Sequence, residues 1–199
     1  NWQSLVIHAS LLNSIFAISV FFFLRKLNFN KTECYLYSIC SSLLMFPPTG
    51  NPTVEHNSLA LSTVALFIFI IGLKEKTNYL LFISVFVFGT AFFIKQVPTA
   101  YFIIFCILIY FLQIFSSITK SNFVTLLLSS LIVSILFISY FLINKVSINN
   151  IIDQYFVIST SLGEKRFGNL NLKDFYENIS KIFFLIFLII PSFYSSLIS

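Results

Sequence analysis

Long apolar runs alternate with short polar interruptions along this chain. Seven apolar segments emerge: Gln3–Leu24, Cys34–Phe46, Asn57–Leu73, Tyr79–Ile94, Thr99–Phe115, Asn122–Ile143 and Ile182–Ile198. A helix crossing a bilayer needs about 20 predominantly apolar residues, with a range of about 17–25. The first, third, fifth, sixth and last segments reach that range. Cys34–Phe46 and Tyr79–Ile94 are shorter, and both stop at polar, proline-bearing breaks, Pro47-Pro48 and Lys95-Gln96-Val97-Pro98. Irregular backbone at membrane depth is tolerated only where protein or a water-filled cavity satisfies its polar groups. Two short helices ending in such breaks therefore predict one polar cavity bordered by both.

The only extended polar region is Asn144–Lys181. Within it Ile148, Ile151, Ile152, Tyr155 and Phe156 recur at helical spacing, with Asn149, Asn150, Asp153 and Gln154 between them. That spacing predicts an amphipathic helix lying in the membrane interface. Ser161–Gly168 reads as a turn. Asn171 is placed to cap a following helix, with Asp174 three residues on, and that helix would run into the last apolar segment and bend near Pro191. The predicted fold is all-α: a polytopic transmembrane helical bundle of about seven membrane segments with one amphipathic interfacial helix on the outer face. It is read as a single transmembrane domain over 1–199, with outer loops at about 47–56 and 144–181.

Composition strengthens the lipid reading. The chain has 199 residues, 58% of them hydrophobic and 10% charged, with a mean hydropathy of +0.94. Soluble domains carry about 25% charged residues. A biased genome would account for which apolar residue was chosen, but not for the scarcity of charge. The net charge of +5 is scattered, with no basic run suited to nucleic acid. Cys34, Cys40 and Cys106 lie in apolar runs without metal spacing and read as small packing residues. Asn1-Trp2 opens directly on a hydrophobic run with no basic stretch ahead, which is unlike a signal peptide. The last residues still read as membrane helix, so the sequence reads as a piece of a longer protein.

Basic residues near helix ends set the orientation. Alternation puts Arg25, Lys26, Lys31, Lys74, Lys76 and Lys120 on one side, and Lys95, Lys145, Lys165, Arg166, Lys173 and Lys181 on the other. The totals tie, but the first group sits in short connections, where the rule applies most strongly, and marks the cytoplasmic side. The Glu55 loop, the Lys95 break and the long polar segment then share the outer face.

Four places carry candidate chemistry. Glu55-His56 is a carboxylate and an imidazole at the expected cavity mouth, suited to a sugar hydroxyl or to part of a divalent metal site. A solvated loop before a helix would give the same pair, with Glu favoured by the helix N-terminus. Lys95, followed by Gln96, is an ionisable residue in an apolar stretch, and such residues usually mark function. A lysine snorkelling from a helix end is the plain alternative. As a point charge it would suit phosphate. Arg166, in Glu164-Lys165-Arg166, could clamp a phosphate or carboxylate, or belong to a solvated turn. His8, alone in the first helix, reads as a packed or interfacial residue. Asn30-Lys31-Thr32 and Asn178-Ile179-Ser180 match the glycosylation sequon, a weak pattern.

The order of these features resembles the membrane-embedded GT-C glycosyltransferases, the group of the protein O-mannosyltransferases and the lipid A aminoarabinose transferases. The resemblance rests on Leu11-Leu12-Asn13-Ser14-Ile15-Phe16-Ala17 in a helix ending in Arg25-Lys26, on a second helix ending in proline before Glu55, and on Leu59-Ala60-Leu61. It continues with Gly89-Thr90-Ala91-Phe92-Phe93-Ile94-Lys95-Gln96 and Ser161-Leu162-Gly163-Glu164-Lys165-Arg166. It covers most of the chain. It implies transfer of a sugar from a polyprenyl-phosphate-linked donor to a lipid or glycan acceptor on the outer face of a bacterial inner membrane. The family's main acidic residue lies in an outer loop before the first segment, so the resemblance places the general base upstream of Asn1 and makes this piece inactive alone. Glu55 would be the second outer-loop acid, and Lys95 a polar residue at the cavity. A divalent metal is compatible with Glu55 and His56, and no cofactor is certain. Membrane lipids are the expected surroundings, and nucleic acid is not expected. A transporter or flippase segment is the rival reading, and a membrane scaffold without chemistry is the third.

Overall fold

The computed structural model describes residues 2–45, 53–114 and 120–158. Those residues are helical throughout apart from short turns, and contain no strand. In chain order the helices are α1 (Trp2–Lys26), α2 (Lys31–Met45), α3 (Val54–Lys74), α4 (Asn78–Ile94), α5 (Gln96–Ile114), α6 (Lys120–Ile143) and α7 (Ile148–Ile152). The chain divides into two compact units, Asn1–Asn144 and Lys145–Ser199.

The first unit is built around α3, which packs against α1, α4 and α5, while α2 packs on α1 and α6 on α4. Helices α1 and α3 run the same way. His8 and Asn57 meet near their starts, and Lys26 and Glu75 meet at their ends. Helix α6 runs parallel to α4, since Asn78 bonds Ser121 near both starts and Phe93 stacks on Phe137 further along. Helix α5 turns back along α4, bringing Tyr110 to within 6.5 Å of Phe123 in the first turns of α6.

The packing rule is that of a membrane bundle. Apart from Leu81, the fully buried positions are small or hydroxylated, among them Cys34, Ser58, Ser62, Ala65, Ser84, Ala91, Thr99 and Ser129. Phe16, Phe69, Leu73, Leu81 and Phe88 are buried between helices, but many large apolar side chains stay outside, among them Leu11, Ile15 and Phe22 on α1 and Leu128, Leu131 and Ile135 on α6. In lipid there is no hydrophobic gain from hiding leucine, so helices associate through small residues that admit close approach and through interhelical hydrogen bonds. Gly89 on α4 marks such an approach, because a Cβ added there would collide with Val133 of α6.

Three helices, Gln3–Lys26, Val54–Lys74 and Ser121–Ile143, are long and apolar enough to cross a membrane. Asn78–Ile94 and Gln96–Phe111 are shorter apolar helices. The expected segment Ile182–Ile198, the Asn171 cap and the Ser161–Gly168 turn lie outside the described residues, as do Pro47 and Pro48.

Turn chemistry closes the helix ends. After α1, Asn28 takes a left-handed conformation (φ 68°); the Asn28 N–H donates to Arg25 and the Phe29 N–H to Leu24. After α3, Lys76 (φ 52°) does the same, with Lys76 N–H donating to Leu73 and Thr77 N–H to Gly72. Both are Schellman closures, which satisfy carbonyls that the last helical turn leaves free. At the start of α2, Asn30 and Glu33 form a reciprocal capping box, with the Glu33 N–H donating to Asn30 Oδ1 at 2.8 Å and the Asn30 N–H to Glu33 Oε2 at 3.2 Å. Asn30 therefore acts as a helix cap inside the sequon-like triplet.

In the second unit, Ser147 caps α7 by accepting from the Asn150 N–H. The helix then widens into one π-helical turn over Asp153–Val157. Ile148 and Ile152 remain exposed, an apolar side in keeping with the amphipathic pattern. Partial burial raises the Tyr155 phenol above its ordinary value.

Candidate functional site

Two helix starts meet at one end of the first unit. Helix α3 begins at Val54, three residues earlier than its apolar pattern suggests, because Thr53 caps it. The Thr53 hydroxyl oxygen accepts from the His56 N–H at 3.3 Å and lies 3.2 Å from His56 Nδ1. Glu55 and His56 consequently stand in the first turn of α3 and not in the preceding loop, as the sequence reading had them. A carboxylate in that position also favours the helix by facing its positive end.

The polar break after α4 is narrower than the four-residue stretch expected. Lys95 alone leaves the helical conformation, with φ −157° and ψ 124°, and Gln96 starts α5. Pro98 lies in the first turn of α5, where an N–H has no intrahelical partner and its loss costs nothing. In an unbroken helix Pro98 would instead deny a hydrogen bond to the Ile94 carbonyl and clash with it, which is why the helix breaks just there. Lys95 serves both sides of the break, its N–H closing α4 on the Ala91 carbonyl at 3.0 Å.

This corner brings Lys95 to Glu55, with Nζ 3.0 Å from Oε1. Their side chains are 40% and 57% exposed, so the pair is half in solvent and its contribution to stability is small. Its interest lies in placement, with a cation and a carboxylate from two helices facing each other at a polar end of an apolar bundle. Asn57, two residues after Glu55, places its Oδ1, an acceptor, 3.2 Å from His8 Nε2. The lone histidine of α1 is thus a packing contact between α1 and α3.

Beneath the ion pair lies a cluster that sequence reading passed over. Ser58 Oγ lies 2.8 Å from the Lys95 carbonyl, 3.1 Å from the Ala91 carbonyl and 2.9 Å from Thr99 Oγ1. Ser62 donates to Thr99 Oγ1 at 2.9 Å, and Thr99 Oγ1 lies 3.1 Å from the Lys95 carbonyl. All three hydroxyl residues are fully buried. One proton assignment satisfies the chain: Ser62 donates to Thr99, Thr99 to Ser58, and Ser58 to the Lys95 carbonyl. The available signal was Ser58 and Ser62 at i, i+4 on one face of α3, opposite a Thr just after the proline.

The Gly89–Gln96 stretch resolves into two interleaved faces. Gly89 and Phe93, four residues apart, face α6 through Val133 and Phe137. Ala91 and Lys95, also four apart, face α3 through Ser58 and Glu55. Gln96 follows directly as the first residue of α5. Arg166 lies outside the described residues. Among the described residues no three His, Cys, Asp or Glu side chains gather as a metal-binding set, so Glu55 and His56 acquire no third ligand there.

Comparison with protein-family models, with curated proteins and with solved structures finds no match for this chain.

Proposed function

We propose that this chain is part of a multi-pass membrane glycosyltransferase of the GT-C kind, set in a bacterial inner membrane with about seven membrane segments. It would move a sugar from a polyprenyl-phosphate-linked donor to a lipid or glycan acceptor on the outer face. The observation that carries this reading is the Glu55–Lys95 pair. It stands at a helix break, at one polar end of a bundle whose opposite end holds Arg25, Lys26, Lys31, Lys74 and Lys76. In such a transfer the anomeric carbon's bond to the leaving phosphate oxygen breaks, the acceptor oxygen bonds to that carbon, and the acceptor's proton passes to a carboxylate base. Lys95 would offset charge on the leaving phosphate, and Arg166 is the second candidate for it. Glu55, His56 and Gln96 would orient sugar or acceptor hydroxyls.

The test is transfer of labelled sugar from polyprenyl-phosphate donors by the full-length protein in proteoliposomes. Transfer that depends on Lys95 is expected. The broken α4–α5 pair also suits a transporter or flippase. Movement of a polyprenyl phosphate across the bilayer without sugar transfer would favour that reading and overturn this one. Sidedness is tested separately by replacing Cys40 with Ser and placing one cysteine at a time. Val54→Cys should react with an impermeant thiol reagent from outside and Asn78→Cys should not, and equal labelling would refute the orientation.

A further inference from the structure

We infer that Ser58, Ser62 and Thr99 are positioning residues that hold the Lys95 backbone in place and so set where its ammonium group stands relative to Glu55. The inference concerns geometry and stands independently of the transferase reading. A one-residue corner between two helices has two soft dihedrals and no ladder of its own to fix them. Lys95 takes an ordinary extended conformation, so local sterics do not select the corner. What fixes it is non-local. Ser58 of α3 reaches the carbonyl on each side of the break, Ala91 before it and Lys95 at it. Thr99, one turn into α5, reaches the same Lys95 carbonyl. Ser62, one turn further along α3, donates to Thr99 and leaves the Thr99 proton free to point back at the break.

The chemistry fits clamping better than ligand binding. The five oxygen pairs of the cluster lie 2.8–3.1 Å apart, which is hydrogen-bond contact, and the hydroxyls bond one another and the backbone. Three hydroxyls supply three protons to those five contacts: Ser62 has Thr99 as its acceptor, Ser58 and Thr99 each have a choice, and none of the three donors lacks one. At full burial, a donor or acceptor deprived of its partner is costly to leave unpaired. The corner is consequently stiff. The long, half-exposed Lys95 side chain starts from a fixed Cα and meets Glu55, which stands three residues before Ser58 on the same face of α3.

The experiment separates backbone placement from the attraction of the ion pair. The full chain carries Glu55→Cys and Lys95→Cys with Cys40→Ser, which removes both charges but keeps the carbonyl of residue 95. A short bifunctional thiol reagent then reports the distance between the two positions, and yields are normalised to monodisperse protein in detergent. Thr99→Val, which keeps shape and loses the hydroxyl, should lower the yield roughly three- to tenfold, the factor expected for one buried interhelical hydrogen bond. Thr99→Ser restores the hydroxyl and should restore the yield. Ser129→Ala removes an equally buried hydroxyl that bonds only within its own helix, to Thr125, and should leave the yield unchanged. Equal yields with Thr99→Val and native Thr99 would overturn the inference, as would an equal loss with Ser129→Ala. Should Thr99→Val not be recovered, Ser62→Ala takes its place. A partial loss of yield with Ser62→Ala supports the clamp, and no loss overturns it.

Discussion

The two polar ends of the α1–α6 bundle are built differently, although each carries a lysine–glutamate pair. At one end Lys26 meets Glu75 at 2.6 Å, and Lys74 donates to the Lys26 carbonyl at 2.7 Å. Both helices there finish in the same Schellman closure, and each leads within a few residues to the next helix. At the other end Lys95 meets Glu55 at 3.0 Å at a corner in the chain, above three buried hydroxyls from α3 and α5. The first end is stabilised by local backbone turns that the pair merely decorates. The second adds to its local bonds side chains from a distant part of the sequence, Ser58 and Ser62 of α3. His8 and Lys26 are 18 residues apart on α1, so the two polar layers stand about 27 Å apart along the helix, close to the thickness of a bilayer's hydrocarbon core. Turn chemistry closes a helix end cheaply, and the more elaborate construction at Lys95 is what marks that end as the candidate site.

The largest expected difference between the ends is functional. In the full-length protein Lys95→Ala should lower sugar transfer roughly a hundredfold, by analogy with loss of one preorganised donor to developing charge. Lys26→Ala should leave transfer nearly intact. Both are assayed in membranes and normalised to folded protein. Comparable losses from the two variants would show that the pairs are equivalent and remove Lys95 from the site.

A smaller effect separates two glycines, one toward each end. Gly89→Ala drives a Cβ into the branched Val133 side chain, and overpacking of that kind costs about 1–3 kcal/mol. Gly72→Ala meets Leu81 Cδ2 at 3.0 Å and Leu80 Cβ and Leu81 Cγ at 3.2 Å, a milder crowding that is offset in part by up to about 1 kcal/mol of helix propensity. Thermal unfolding in detergent should therefore show a larger drop in Tm for Gly89→Ala than for Gly72→Ala. The reverse order would place the tight α4–α6 crossing elsewhere.

The smallest effects belong to the caps. Thr53→Ala removes one bond to the His56 N–H, and Asn30→Ala breaks a reciprocal box with Glu33. Each should cost about 1 kcal/mol, with Asn30 the larger, because peptide N–H groups at a helix start have no other intrahelical acceptor. Paired Tm measurements would check the order.

Much of the helical layout was legible in the sequence. The apolar runs before Asn144 correspond to α1, α2, α3, α4, α5 and α6, with shifts of a few residues at their starts. Those shifts share one cause. The sequence reading began each segment where polarity fell, whereas a helix begins where its first N–H groups find acceptors. Thr53 therefore draws Val54, Glu55 and His56 into α3, and Pro98 sits inside the first turn of α5 because that turn does not need its N–H. The Lys95 break was visible as a charge and a proline in an apolar stretch. Its partner Glu55 was visible as a charge, but nothing in the spacing of residues 40 apart states that the two meet.

Composition and periodicity by themselves determined that the chain is helical and apolar enough for lipid, because each helix satisfies its own backbone and each apolar run is a local property. They also determined where helices stop, since prolines and capping residues act on their immediate neighbours. Alternation of the helices placed Glu55 and Lys95 on one face, but that the two side chains pair directly, and which groups lie beneath them, was decided only by the tertiary structure. Serines in lipid-like surroundings read as ordinary small packing residues until the α4–α5 corner is laid against α3. Then Ser58, Ser62 and Thr99 become the groups that hold Lys95 at Glu55. The physical reason is that their hydrogen bonds join residues 33 to 41 positions apart in the chain. Such bonds exist only after the helices have packed.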